Sequence, residues 1–292
     1  MSSPHIAFLG IGLMGRHQAR HILEAGYELT AWNRTRAKAE ALEPHGAKVD
    51  DTARAAADGA DIVITMLENG PVVGEVLFGE NGAVDGLKPG AMVVDMSSIR
   101  PGEAKEHAAK LADAGIGYVD APVSGGTVGA EAGNLTIMCG GTAEDYARAE
   151  AVLETMGRPT HVGPVGSGQW AKLANQMIVG ITIGAVAEAL ALAGRAGADP
   201  AKVRDALRGG FADSRVLELH GQRMVERDFT TKGRTTTQVK DMDNAMVSAA
   251  ELGFQAPLLE KATELFRGLA KHGGDPDHSA LILEIERLNP KP

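Results

Sequence analysis

Over roughly the first 160 residues, short apolar runs alternate with segments of helical period. The runs His5–Leu9 (HIAFL), Glu28–Trp32 (ELTAW), Asp61–Leu67 (DIVITML) and Ala91–Asp95 (AMVVD) are almost continuously apolar. Parallel strands covered on both faces have this pattern. Further strands are predicted at Gly117–Asp120, Asn134–Cys139 and Thr160–Val162, with helices over Arg16–Gly26, Pro101–Ala114 and Ala143–Thr155. From about Ser167 the period is helical to the end. One long segment runs to about Arg195, with Gly197 near its C-cap and Asp199-Pro200 opening the next helix. Helices are then expected at 200–209, 215–227, 241–252, 257–271 and 278–287. The pattern predicts an α/β Rossmann-type doubly wound sheet over residues 1–163. An all-α domain entered by one long helix is predicted over 164–292.

Composition narrows the function more than the fold. The 292 residues suffice for two ordinary domains, and 44% hydrophobic with 23% charged residues is a globular balance. A net charge of -9 and 4% aromatic residues argue against nucleic acid held on a basic face or stacked on aromatic platforms. The single cysteine, Cys139, lies in a strand-like setting (LTIMCGG) and is expected to be inert packing. The segment Leu173–Gly194 is long and apolar enough to span a membrane, but it contains Asn175, Gln176 and Glu188. It is read instead as a helix buried in a core or a subunit interface. The start MSSPHIAFLGIGLMG does not read as a signal peptide, and the expected location is the cytoplasm.

The first strand is followed by GIGLMG, so Gly10, Gly12 and Gly15 form G-x-G-x-x-G between a strand and a helix. In that order the motif predicts a dinucleotide site. Gly10 makes the tight turn, Gly12 admits a pyrophosphate, and Gly15 lets helix and strand pack closely. Leu13 and Met14 complete the loop. The second strand ends in Asn33-Arg34-Thr35 rather than a carboxylate. Asn33 carries no charge to repel a 2′-phosphate, Arg34 is a planar cation and Thr35 adds a hydroxyl, so NADP(H) is expected over NAD(H). A solvated loop charge is the alternative reading of Arg34. Met66, Leu67 and Ser98 follow later strands, at the edge where ligands of such sheets bind. The loop APVSGG offers the Ser124 hydroxyl and the N–H groups of Gly125 and Gly126 to a ligand carboxylate. His17 and His21 stand four apart without a third ligand, so no metal is expected. Asp277-His278-Ser279 are neighbours in sequence and cannot align as a relay.

In GPVGSGQWAKLANQ, Lys172 and Asn175 lie one turn apart and Gln176 four residues from Lys172. Partial desolvation at the start of an apolar helix suits a lysine to proton transfer, and a neighbouring amide to holding a substrate oxygen. Taken alone, Lys172 reads as surface charge, and Lys240-Asp241 as a surface pair opening a helix.

FLGIGLMG, DAPVSGG, GSGQWAKLANQ and KDMDNA, in that order, resemble the β-hydroxyacid dehydrogenase family over essentially the whole chain. That family includes 3-hydroxyisobutyrate dehydrogenases, tartronate semialdehyde reductases and glyoxylate/succinic semialdehyde reductases. MLENGPVV, DMSSIRP, RGGFADSRVLE and DHSAL are most similar to the tartronate semialdehyde branch. The resemblance implies a small carboxylate-bearing aldehyde or hydroxyacid as substrate, and a homodimer or homotetramer built through the helical domain. It makes Lys172 catalytic, Ser124, Gly125 and Gly126 the substrate-carboxylate loop, and Asn175 the substrate-orienting amide with Gln176 beside it. Ser98 and Lys240 become cofactor contacts. Two departures stand out: the Thr-rich run 230–237, and the bulky Trp170 beside Lys172. An imine reductase on the same fold, and a non-catalytic NADP-binding protein, are the readings of other kinds; Lys172 and the ordered substrate loop argue against them.

Overall fold

Alternate residues of the inner strands bury opposite faces of one sheet, as continuous apolar runs require. The computed structural model describes residues 3–272 and 274–290. Strands β1 (Ile6–Leu9), β2 (Leu29–Trp32), β3 (Lys48–Val49), β4 (Ile62–Thr65), β5 (Met92–Asp95) and β6 (Gly117–Asp120) run parallel, in the order β3-β2-β1-β4-β5-β6. Three more strands extend the sheet: β7 (Val123–Ser124), β8 (Leu135–Gly140) and β9 (Gly157–Gly163). β8 is antiparallel to β6 and β7, and parallel to β9. Ile6, Phe8, Ile62, Ile64, Met92 and Val94 pack into one core layer; Ala7, Leu9, Val63 and Val93 pack into the other. The strand order reverses between β1 and β4, which opens a crevice at their carboxyl ends.

The helices of this unit are α1 (Gly15–Glu24), α2 (Arg36–Glu40), α3 (Ala53–Ala57), α4 (Gly70–Phe78), α5 (Pro101–Asp113), α6 (Gly126–Glu131) and α7 (Ala143–Glu154). The short elements escape a periodicity argument: β3 and β7 span two residues each, and α2, α3 and α6 fewer than two helical turns. Asn69 Oδ1 accepts the Val72 N–H at 3.0 Å, and α4 begins at Gly70 with Pro71 in its first turn. Cys139 is fully buried in β8, where burial pushes its thiol up to about 12, so packing is its role.

Contacts divide the chain into two compact units between Lys172 and Leu173. The long helix α8 (Ser167–Arg195) passes through that division unbroken. The second unit adds α9 (Pro200–Leu207), α10 (Arg215–Glu226), α11 (Thr235–Glu251), α12 (Pro257–Lys271) and α13 (Leu281–Leu288), the last preceded by a 3-10 turn at His278–Ala280. α11 corrects the expected start at 241. The Thr-rich run supplies its first turn because Asp275 caps it from a distance, accepting the Thr236 N–H at 2.9 Å and its hydroxyl at 2.8 Å. Lys240 and Asp241 therefore sit inside a helix rather than at its start.

α8 is long and apolar enough to cross a membrane, and only 33% of its apolar window is buried within the chain. Ala174, Ile178, Ala185, Ala189 and Leu192 form an exposed stripe at helical spacing along it.

Candidate active site

The glycine loop has the shape that its sequence demands. Gly10 follows β1 at φ +112°, and a Cβ there would collide with the Met66 carbonyl after β4. The two strand ends at the crevice thus touch through a glycine. A Cβ on Gly15 would strike the Gly10 carbonyl, so close packing of α1 on β1 requires that glycine too. A Cβ on Gly12 would meet no protein atom within 4 Å, so packing does not call for a glycine there, whereas a phosphate against the backbone does. α1 begins at Gly15 with no acidic residue in its first turn and no side-chain cap, which leaves its N-terminal dipole suited to an anion. The loop therefore fits a dinucleotide pyrophosphate.

Asn33 does something the sequence did not suggest. Its Oδ1 accepts the Ile11 N–H at 3.0 Å and its Nδ2 donates to the Thr35 carbonyl at 2.9 Å. It clasps the glycine loop to the end of β2. Arg34 beside it is exposed. Arg36, two residues on, is already engaged by Glu40 at 2.8 Å and by Asp51.

Three buried polar side chains order the carboxyl edge further along. Thr65 donates to Asp95 Oδ1 at 2.7 Å; Asp95 also accepts the Ser97 N–H at 3.0 Å, and the Ser97 hydroxyl oxygen accepts the Leu67 N–H at 2.9 Å. These bonds set the loops that carry Met66, Leu67 and Ser98. Burial raises the Asp95 carboxyl above the ordinary carboxylate range, against the pull of these donors. Val123 and Ser124 are a strand paired to β8 rather than part of an open loop. Gly125 at φ +133° and Gly126 at φ +61° then turn the chain into α6, a path that favours glycine.

The start of α8 is held by two fully buried side chains, Asp120 and Gln169. Gly166 precedes the helix and has no side chain to cap it. Asp120, at the end of β6, caps it instead: Oδ1 accepts the Gly166 N–H at 2.7 Å, and Oδ2 the Gln169 N–H at 2.8 Å. Gln169 Nε2 donates to the Ser97 carbonyl at 2.8 Å, and its Oε1 accepts the Ile99 N–H at 3.1 Å. Gly140 and Gly168 allow this approach. A Cβ on Gly140 would lie 2.6 Å from Asp120 Oδ1, and one on Gly168 would run into the Asp120 and Met138 carbonyls. Lys172, 9% exposed, stands about one turn beyond these anchors, at the carboxyl edge of the sheet. Asp120 and Gln169 were not singled out in the sequence; a carboxylate closing a strand and a glutamine three residues before the lysine were the only signals.

Within the helical unit a second polar chain forms. Asn175 Nδ2 donates to Gln176 Oε1 at 2.8 Å, Gln176 Nε2 donates to Asp241 Oδ2 at 2.6 Å, and Lys240 Nζ pairs with Asp241 Oδ1 at 3.2 Å. The structure thus joins Asn175, Gln176 and Lys240 through Asp241, a residue that seemed part of a surface pair. Elsewhere in this unit His220, Asp277 and His278 converge, with the two imidazole Nε2 atoms 2.6 Å apart. Asp277 accepts the N–H groups of Lys232 at 3.0 Å and Gly233 at 2.8 Å, the Ser279 hydroxyl at 2.6 Å, and an ion pair from Arg223 at 3.1 Å. With its carboxylate so committed, Asp277 braces the segments that meet here. Asp277 also caps the 3-10 turn at His278–Ala280, accepting the Ser279 N–H at 3.1 Å.

Two family models cover nearly all of the chain. Residues 5–166 match the NAD-binding domain of 6-phosphogluconate dehydrogenase, and residues 166–285 match the NAD-binding region of NADP-dependent 3-hydroxyisobutyrate dehydrogenase. The chain is 43% identical to a 2-hydroxy-3-oxopropionate reductase of Escherichia coli, over 97% of both chains. It is 37% identical to a probable mitochondrial 3-hydroxyisobutyrate dehydrogenase-like protein of Arabidopsis thaliana, over 99% of this chain and 87% of that one. The chain belongs to the β-hydroxyacid dehydrogenase family. Its structure superposes on Mycobacterium tuberculosis 3-hydroxyisobutyrate dehydrogenase with a TM-score of 0.91 at 31% identity, covering 99% and 100% of the two chains. It is an NAD(P)-dependent oxidoreductase with hydroxyacid dehydrogenase activity.

Asp120 gives this β-hydroxyacid dehydrogenase a measurable pH signature. Burial, foremost, raises its carboxyl from an ordinary 3.8 to about 7, while the Gly166 and Gln169 N–H groups pull it down. A carboxyl raised on folding binds its proton more tightly in the native state, so its stabilisation is full below the unfolded value and is lost as pH rises through the folded one. The melting temperature of the wild type should therefore fall relative to Asp120→Asn as pH rises from about 4 to about 7, then run parallel above that. Parallel curves across the whole range would show that Asp120 does not titrate there.

Proposed function

We propose that the chain is an NADP(H)-dependent reductase of small carboxylate-bearing semialdehydes, converting tartronate semialdehyde to glycerate. The observation that carries this reading is the anchoring of the Lys172 turn to the carboxyl edge of a dinucleotide-binding sheet by Asp120 and Gln169. The 43% identity to 2-hydroxy-3-oxopropionate reductase supports the choice of substrate.

The bound nicotinamide supplies the hydride, and the protein's residues supply the rest. Lys172 gives its proton to the carbonyl oxygen as the alcohol forms, and takes it back in the reverse direction. Ser124 and the N–H groups of Gly125 and Gly126 hold the substrate carboxylate, which fixes the carbonyl in a reactive orientation. Asn175, one turn along α8, bonds the reacting oxygen or its neighbour, with Gln176 supporting the amide. Gly10, Gly12, Leu13, Met14 and Gly15 line the pyrophosphate; Met66, Leu67, Ser98 and Lys240 complete the cofactor contacts. Trp170 narrows the pocket beside Lys172. We assign the enzyme to the cytoplasm.

In an NADPH-consumption screen across tartronate, methylmalonate and succinic semialdehydes, glyoxylate and cyclic imines, tartronate semialdehyde should give the highest kcat/KM. Lys172→Ala should lower kcat about 100- to 10,000-fold with little change in NADPH affinity. Wild-type turnover in that variant sinks the assignment of Lys172, and preference for an imine sinks the reaction class.

The exposed Arg34, with Asn33 in place of a carboxylate, supports NADP(H) over NAD(H). Arg34→Ala should reduce the NADPH-to-NADH ratio of specificity constants about tenfold or more, the effect of losing a charge-assisted bond. A wild-type enzyme that prefers NADH overturns this part.

The apolar stripe on α8 supports a homodimer or homotetramer, because lone surface residues need no cover but a continuous stripe does. Light scattering should give two or four times the 30.4 kDa chain mass, and Ile178→Asp should reduce it. A wild-type mass of one chain is the contrary result.

A further inference from the structure

The Gln169 side chain is bonded as a residue of a neighbouring strand would be. In a parallel ladder, one residue donates its N–H to the carbonyl before position i and accepts the N–H after it. Gln169 does this around Ser98: Nε2 donates to the Ser97 carbonyl at 2.8 Å, and Oε1 accepts the Ile99 N–H at 3.1 Å. One neighbour is an obligate acceptor and the other an obligate donor, so the orientation of the carboxamide is determined. Its own backbone N–H is taken by Asp120 Oδ2 at 2.8 Å, and the residue is fully buried. Side chain and main chain thus fasten one turn of α8 to two strand ends, β5 and β6.

We infer that Gln169 is a positioning residue that holds Ser98 and Lys172 at a set separation, so that cofactor loop and proton donor move as one body. The inference rests on the reading of Lys172 as the proton donor. It assigns the placement of Lys172 to the nucleotide-binding unit, since every bond involved lies within it. Glutamine suits the task because it carries one donor and one acceptor at the end of a side chain long enough to reach both backbone groups. Leucine has neither, and ionised glutamate has acceptors only, one of which would face the Ser97 carbonyl. A protonated glutamate restores one donor and one acceptor.

The test uses full-length Gln169→Leu and Gln169→Glu, with active sites counted by NADPH titration so that unfolded protein is excluded. In Gln169→Leu, kcat per site should fall roughly 100-fold, the cost of a displacement of about 1 Å at a reacting group. That loss should exceed any change in KM for NADPH by at least about tenfold, because Ser98 is one of many cofactor contacts. In Gln169→Glu, kcat relative to wild type at the same pH should climb as pH falls from 8 to 5 and the glutamate gains its proton. Should Gln169→Leu fail to fold, Gln169→Glu carries the test alone. Unchanged kcat per site in Gln169→Leu, or a Gln169→Glu deficit that ignores pH, overturns the inference. Lys172→Ala run beside them separates the two readings. If it turns over like wild type, the assignment of Lys172 fails whatever Gln169 does. If it is inactive while Gln169→Leu retains its kcat, only the inference about Gln169 fails.

Discussion

A carboxylate at the end of one strand caps a helix that begins 47 residues later in the chain, and the geometry of the site depends on it. The Asp120 side chain meets the Gly166 and Gln169 N–H groups at 2.7 and 2.8 Å in a fully buried setting. A helix start buried without a cap would leave backbone donors unpaired, at about 1–3 kcal/mol each. An unpaired buried carboxylate would be costlier still. Each group therefore requires the other, and the first turn of α8 has one place to sit on the sheet. Gly140 and Gly168 are glycines for this reason, since a side chain at either would fill the space through which the cap reaches.

From this contact the rest of the carboxyl edge is built outward. Gln169 carries the anchoring from β6 to the segment after β5, and the Thr65–Asp95–Ser97 bonds carry it on to the segment after β4. Gly10 then brings the glycine loop against Met66, closing the series at the point where the strand order reverses. A row of short polar and glycine contacts thus fixes the loops of four parallel strands at their carboxyl ends. The apolar core beneath them tolerates exchange of one hydrophobe for another. These contacts do not, because each depends on a particular donor, acceptor or missing Cβ.

The helical unit is organised differently. Its polar chain through Asn175, Gln176, Asp241 and Lys240 lies between helices, and Asp275 and Asp277 cap turns far from them in sequence. A threonine-rich run, poor in helix propensity, becomes the first turn of α11 because a distant carboxylate takes its N–H and hydroxyl groups.

Periodicity alone was enough for the alternating sheet, the long helix and the helical second half, because each spans enough residues to repeat its pattern. The glycine spacing was enough for the tight turn after β1, because close backbone approach and helix packing exclude side chains at Gly10 and Gly15. Four ordered motifs were enough for the family. Asp120, Gln169 and Asn33 became visible only in three dimensions. Their roles consist of bonds to backbone groups up to 72 residues away, and no local pattern records which N–H will be left over at a helix start or loop. The same holds for the short elements and for the start of α11. A strand of two residues, or a helix of fewer than two turns, carries too little pattern to declare itself, so its conformation is set by the partner it meets in the folded chain.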